Sequence, residues 1–173
     1  ANACTGKRGI ADAYEMQALA ATKLGIESYL VGVASTGVIG EIMNMEPVVK
    51  GVEMLNPNND LESGMNFAQA ILTTDTVMKN TTYATVIDGK EVLVSGTAKG
   101  SGMIEPNMAT MLGFITTDAN IESDELQKAL SEITNLTFNA ITVDGDTSTN
   151  DTVVVMANGL AGNEPLTPAH PEW

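Results

Sequence analysis

Basic residues are scarce in this chain. Eight lysines and arginines face 22 aspartates and glutamates, a formal charge of −14 over 173 residues. Nucleic-acid phosphates need clustered Lys and Arg, so no nucleic-acid partner is expected, and an anionic membrane surface is disfavoured on the same ground. Cysteine is scarcer still. Cys4 stands alone, so no intrachain disulfide forms, which fits a reducing compartment such as the cytoplasm. No apolar run approaches the roughly 18 residues of a membrane span, and no signal-peptide pattern opens the sequence.

Other signatures are missing too. Gly100 and Gly102 lack the third glycine and the strand–turn–helix order of a dinucleotide fingerprint. The loop "DGDTSTND" (144–151) gathers Asp144, Asp146 and Asp151, but a calcium loop would need a glycine sixth and a glutamate twelfth, where Thr149 and Val155 stand. A turn dense in side-chain-to-backbone hydrogen bonds fits it better, and no metal is expected. His170 sits among prolines without a helical or cysteine partner and receives no role.

What is present is a chain that is 43% hydrophobic, enough for one core or part of a larger one. It begins at Ala1 rather than Met and ends at Trp173, so a piece of a longer or processed chain is expected. Apolar positions Ala13, Met16, Ala20 and Leu24 recur at helical spacing, and Gly25 offers a stop. "SYLVGVAS" (28–35) reads as a buried strand running into a small-residue turn, "STGVIG" (35–40). Pro47 suits the first turn of a helix carrying Val48 and Val52. Asp60 is placed to cap another, with Met65, Ala68 and Leu72 on one face, ending in "TTDT" (73–76). Then the period changes: "TTYATVI" (81–87), Asp88-Gly89 and "KEVLVSGTA" (90–98) form a hairpin signal. "TMLGFITTDA" (110–119) predicts a strand. Ser123 is expected to cap a helix with Leu126, Leu130 and Ile133 inward. "TFNAITV" (137–143) and "TVVVMAN" (152–158) read as further strands.

Three places carry possible chemistry. Thr110 follows a glycine-rich loop and the small Ala109 at the start of a strand. It reads as an ordinary strand-edge threonine, or as a nucleophile activated by its own α-amine once the Ala109–Thr110 bond is cut. An α-amine suits that task, because its pKa of about 7.7–8.0 leaves a useful fraction unprotonated at neutral pH. Thr36 and Gly37 in "STGVIG" offer donors for an oxyanion, or simply a tight turn. Lys99 can neutralise a substrate carboxylate or lower the pKa of a nearby amine, or lie idle in an exposed loop.

Taken together and in this order, "ASTGVIG", "LTTDT", "AKGSGMIEPNMATMLGF", "TFNAITVDGDTSTND" and "VMANGLAG" closely resemble the ornithine acetyltransferase (bifunctional glutamate N-acetyltransferase) family of arginine biosynthesis. The resemblance covers nearly all of 1–163 and implies the central part of that family's domain, spanning the junction of its α and β chains at 109/110, with 164–173 as a Pro-rich connector. It implies an α/β (α+β) sandwich of mixed sheets with flanking helices, like N-terminal-nucleophile hydrolases in chemistry but not in connectivity. Self-cleavage at Ala109–Thr110 would free Thr110 to carry an acetyl group from N-acetylornithine to glutamate. Thr36 and Gly37 match the family's oxyanion hole, and Thr73, Lys99 and Thr110 its substrate-binding positions. No cofactor is implied, although some members use acetyl-CoA as a donor. The resemblance also implies a heterotetramer of α and β chains in the cytoplasm. The family's β chain adds pocket residues beyond position 173. The rival readings are an N-terminal-nucleophile aminopeptidase or amidase, with water replacing glutamate, and an inactive truncated fragment.

Overall fold

A computed structural model describes residues 2–105 and 111–173. Ala109 and Thr110 therefore lie outside the described residues. The chain divides into two compact units, Ala1–Asn66 and Phe67–Trp173.

The first unit is helical. Helix α1 (Gly6–Leu24) ends at Gly25, whose left-handed φ of 67° lets its N–H reach back to Ala21 and Thr22. The helix starts at Gly6, well before Ala13, the first of the periodic apolar positions. Asn2 fixes that start: its side chain accepts from the Thr5 hydroxyl and donates to the Gly9 carbonyl. Gly9 is required there, because an added Cβ would lie 1.8 Å from Thr5 Oγ1. Helix α2 (Met45–Met54) is capped by Asn44, which accepts from the Glu46 N–H, and Pro47 lies in its first turn as expected. Helix α3 (Leu61–Ala70), which runs past the Asn66/Phe67 division, follows Asp60, whose carboxylate takes the Ser63 N–H at 2.7 Å.

The expected strand at 28–35 is absent. A short 3-10 turn, Ser28–Leu30, occupies its start, and Tyr29 and Leu30 are exposed. The reason is local. The Val31 N–H bonds the Ser28 carbonyl and the Val31 carbonyl accepts from Gln17 on α1, so both are spent before a strand can pair with them.

The second unit is a four-stranded sheet in the order β1-β2-β3-β4. Strands β1 (Lys79–Ile87) and β2 (Lys90–Lys99) form the expected hairpin. Asp88 and Gly89 both have positive φ, 53° and 72°, the primed turn that matches strand twist. Strand β3 (Leu112–Thr117) runs antiparallel to β2, and β4 (Thr152–Ala157) runs parallel to β3. Parallel neighbours need a crossover, and helix α4 (Ser123–Leu136) supplies it. The result is the mixed α/β architecture anticipated from the sequence.

Two details of α4 differ. Glu122, not Ser123, stands at the cap and makes no side-chain bond; Asp124 and Glu125 favour the N-terminus through the helix dipole instead. Ile133 is exposed while Thr134 is buried. Residues 137–143 also form no strand. The Thr137 hydroxyl returns to the Ile133 carbonyl, and Phe138–Ala140 tighten into a 3-10 turn in which the Ala140 and Ile141 N–H groups bond the Thr137 and Phe138 carbonyls. Their β-branched and aromatic composition had suggested otherwise.

At one end of the sheet Ile87, Val92, Ala119 and Leu166 form a core, flanked by Ile121 and Ala161. Val92 is 1% exposed. Val92→Ala should lower the unfolding free energy by about 2 kcal/mol through lost burial and a residual cavity. Val86→Thr, at an exposed position, should stay within about 0.5 kcal/mol. Urea midpoints of the two variants check the contrast.

Candidate functional site

Lys99 ends β2 and is 1% exposed, so it is not the idle loop lysine its glycine-flanked position suggested. A buried cation needs compensation. Its Nζ donates to the Thr73 hydroxyl at 3.3 Å, which brings together two of the positions picked from the sequence. Burial draws the Lys99 pKa below its ordinary value, and the negative charges of Asp75 and Asp151 oppose the fall. An ammonium has three donors, so this contact leaves capacity for an anionic ligand.

Both carboxylates escaped the sequence reading of this site. The Asp75 side chain is fully buried. One oxygen accepts the Gly100 N–H at 2.9 Å and pairs with Lys79. Burial works against its charge, yet Lys79, the Gly100 N–H and Lys99 together hold its pKa below the ordinary carboxylate value. Asp151 precedes β4 and accepts the Met111 N–H at 2.6 Å. Burial pushes its pKa up, and the Met111 N–H, the Ser148 hydroxyl and Lys99 only partly offset this.

The described part of the loop after Lys99, residues 100–105, is fastened by side chains from elsewhere in the unit. Gly100 is held by Asp75, and the Ser101 hydroxyl meets that of Thr74 at 2.7 Å. Asp144 accepts the Met103 and Ile104 N–H groups at 2.6 and 2.8 Å. Those two bonds hold the Asp144 pKa below its ordinary value. The Ile104 carbonyl accepts the Val143 N–H, and the Glu105 carboxylate accepts the Thr142 hydroxyl. Met103, not a neighbouring glycine, adopts the left-handed φ of 59°, a conformation that costs an ordinary residue roughly 1–2 kcal/mol. Two of the three carboxylates of the "DGDTSTND" loop, Asp144 and Asp151, thus serve backbone amides some 40 residues away rather than a local turn alone.

Between these groups lies a cavity of about 240 Å³. Lys79, Lys99 and Gly100 line it beside Ile104, Met111 and Phe138. Cationic groups on an otherwise apolar wall suit a small aliphatic molecule bearing a carboxylate. A larger hollow of about 480 Å³ on the sheet face, with Tyr83, Val94 and Ile115, has Lys79 as its sole charged lining residue. It is the weaker candidate for polar chemistry.

Thr36 and Gly37 belong to the first unit. Their turn is tied to the chain start: the Asn2 N–H donates to Ser35 Oγ at 3.0 Å and the Gly40 N–H to the Ala3 carbonyl at 2.9 Å. Gly37 and Gly40 have φ of 145° and 82°, so the small-residue turn is real.

His170 does have partners. Among the described residues, Asp88, His170 and Glu172 bring ligand-type atoms within 4.8 Å of one another. The atoms are occupied with each other. His170 Nε2 meets Asp88, His170 Nδ1 accepts the Glu172 N–H, and Glu172 accepts the Asp88 N–H. The trio clamps the β1–β2 turn to residues 164–172.

A mixed α/β sheet that gathers a buried lysine, a threonine and two carboxylates near the end of one inner strand defines the class: an α/β protein with a buried charged cluster. Comparison with known proteins narrows this class. A profile of the ArgJ family matches residues 1–172, and the chain belongs to that family. It is 62% identical to the arginine biosynthesis bifunctional protein ArgJ of Halalkalibacterium halodurans, and 61% identical to those of Geobacillus kaustophilus and Bacillus subtilis. Each match covers all of this chain and 42% of the relative, so the chain spans about two fifths of their length. It is also similar to the crystal structure of ArgJ from Bacillus halodurans, with a TM-score of 0.59 and 53% identity over 61% of this chain and 56% of that one.

Asp144→Ala should free the Met103 and Ile104 amides. Hydrogen exchange at both is expected to accelerate several-fold, while the β3–β4 amides keep their protection.

Proposed function

We propose that this chain carries the nucleophile and the carboxylate-binding lysine of an acetyltransferase. The reaction moves an acetyl group from N-acetylornithine to glutamate in arginine biosynthesis. The observation that carries the reading is the buried Lys99 ammonium, with donors to spare, lining a cavity shared with Met111. Met111 directly follows Thr110 in the sequence.

In this reading the Ala109–Thr110 bond is cut and the new Thr110 α-amine acts as base. Thr110 Oγ attacks the acetyl carbonyl while that amine takes its proton. The tetrahedral oxyanion is bound by Thr36 and Gly37. Collapse expels ornithine, whose amine takes the proton back, and leaves an acetyl-threonine ester. The glutamate amine attacks this ester, and N-acetylglutamate departs as Thr110 Oγ is reprotonated. Lys99 pairs with the amino-acid carboxylate in both halves, because a carboxylate entering a poorly solvated cavity needs a charged partner. Thr73 orients that ammonium. Family membership supports the chemistry, and the relatives are named as arginine biosynthesis proteins. Assembly of α and β chains from one cytoplasmic precursor belongs to the same proposal.

Intact mass spectrometry tests it directly. The wild-type protein should appear as two chains, and N-acetylornithine should add one acetyl group to the chain that begins with Thr110. Thr110→Ala should remain a single uncut chain and take up no acetyl group; cleavage at the same bond in that variant would sink the assignment. Release of free acetate without glutamate would favour the amidase reading. Thr36→Val, which deletes an oxyanion donor, should lower kcat by roughly 100-fold with little change in KM.

A further inference from the structure

Asp75 is the residue whose burial and contacts exceed what the mechanism above asks of it. A fully buried carboxylate is costly unless its partners compensate. Here one oxygen serves the Gly100 N–H and the Lys79 ammonium together, while the other is buried without a hydrogen bond among the described residues. A residue needed only to cap the 73–76 turn would not require a charge in such a place. Its partners are informative: Gly100 directly follows Lys99, and Lys79 and Gly100 both line the same cavity as Lys99.

We propose that Asp75 is a positioning residue for Lys99, fixing Gly100 and Lys79 around it and stabilising the ammonium while leaving that ammonium's donors open for a substrate carboxylate. This rests on the reading of Lys99 as the carboxylate-binding group. The charged groups around Lys99 are Asp75 from the turn after α3, Asp151 from the loop before β4, and Lys79 from the start of β1. The two carboxylates favour its charge. Lys99 gives its resolved bond to the neutral Thr73, so the stabilising charge and the hydrogen-bonding partner are separate residues. That division lets the ammonium stay charged and still accept a ligand.

The sign follows. Burial already lowers the Lys99 pKa, and Asp75 is the first of the two charges that resist this. Removing it lets the ammonium lose its proton at lower pH, so carboxylate binding should fail at lower pH. The test compares Asp75→Asn, which is nearly isosteric but neutral, with Asp75→Glu, which keeps the charge. Asp75→Ser serves as the neutral variant where the Asn variant does not fold. In the neutral variant, KM for N-acetylornithine and for glutamate should rise about tenfold, with kcat at saturation within about threefold of wild type. The upper pH limb of kcat/KM should move down by about one unit, and Asp75→Glu should return it toward wild type. A purely structural Asp75 would lower the melting temperature and kcat together and leave the limb in place; that outcome overturns the proposal. Calorimetric titration of glutamate across the same pH range reads the limb without chemistry. Wild-type protein that binds glutamate with this limb, yet transfers no acetyl group, would refute the acetyltransferase reading and leave the role of Asp75 intact.

Discussion

A buried ammonium organises the second unit. Lys99 ends a strand with almost no contact with water, and taking a cation out of water is affordable only where opposite charge and hydrogen-bond acceptors wait for it. Asp75 and Asp151 answer that demand from chain segments 24 residues before and 52 after it. Each also grips a backbone amide beside the site, Gly100 in one case and Met111 in the other. Charge compensation and loop placement are thus achieved by the same two side chains.

This economy explains the loop between β2 and β3. Glycine-rich sequence suggests freedom, but the described part of this loop is held by carboxylate, hydroxyl and carbonyl partners at nearly every residue. The left-handed Met103 is tolerated because two charge-assisted bonds from Asp144 over-determine the backbone on either side of it. The many aspartates of this acidic chain therefore do not all serve as a solvated surface. Several act as acceptors that shape one short segment next to the lysine.

The helical elements and the hairpin were legible because their signals are local. Gly25, Asp60 and Asp88-Gly89 each act within a few residues through backbone conformation or a single cap. The expected strands at 28–35 and 137–143 failed for a related reason. Apolar, β-branched composition marks a segment that tolerates extension, but a strand also needs a neighbour with open amides. Gln17 had already bonded the Val31 carbonyl, and the 3-10 turns had drawn backbone groups into local bonds. Lys99 was singled out by its own chemistry and Thr73 through the resemblance of whole motifs, whereas Asp75 stood unremarked in "TTDT" because nothing nearby in sequence shows what it touches.

By itself the sequence determined the acidic balance, the mixed α/β class, the hairpin and the family, since composition, turn chemistry and ordered motifs are properties of contiguous residues. Tertiary structure alone decided that Lys99 is buried, that Asp75 and Asp151 share its charge, and that Asp144 reaches back to Met103 and Ile104. It also turned His170 from an isolated histidine into part of a clamp with Asp88 and Glu172. Those facts depend on which distant segments the sheet brings side by side, and electrostatic compensation is set by distance in space rather than by distance along the chain.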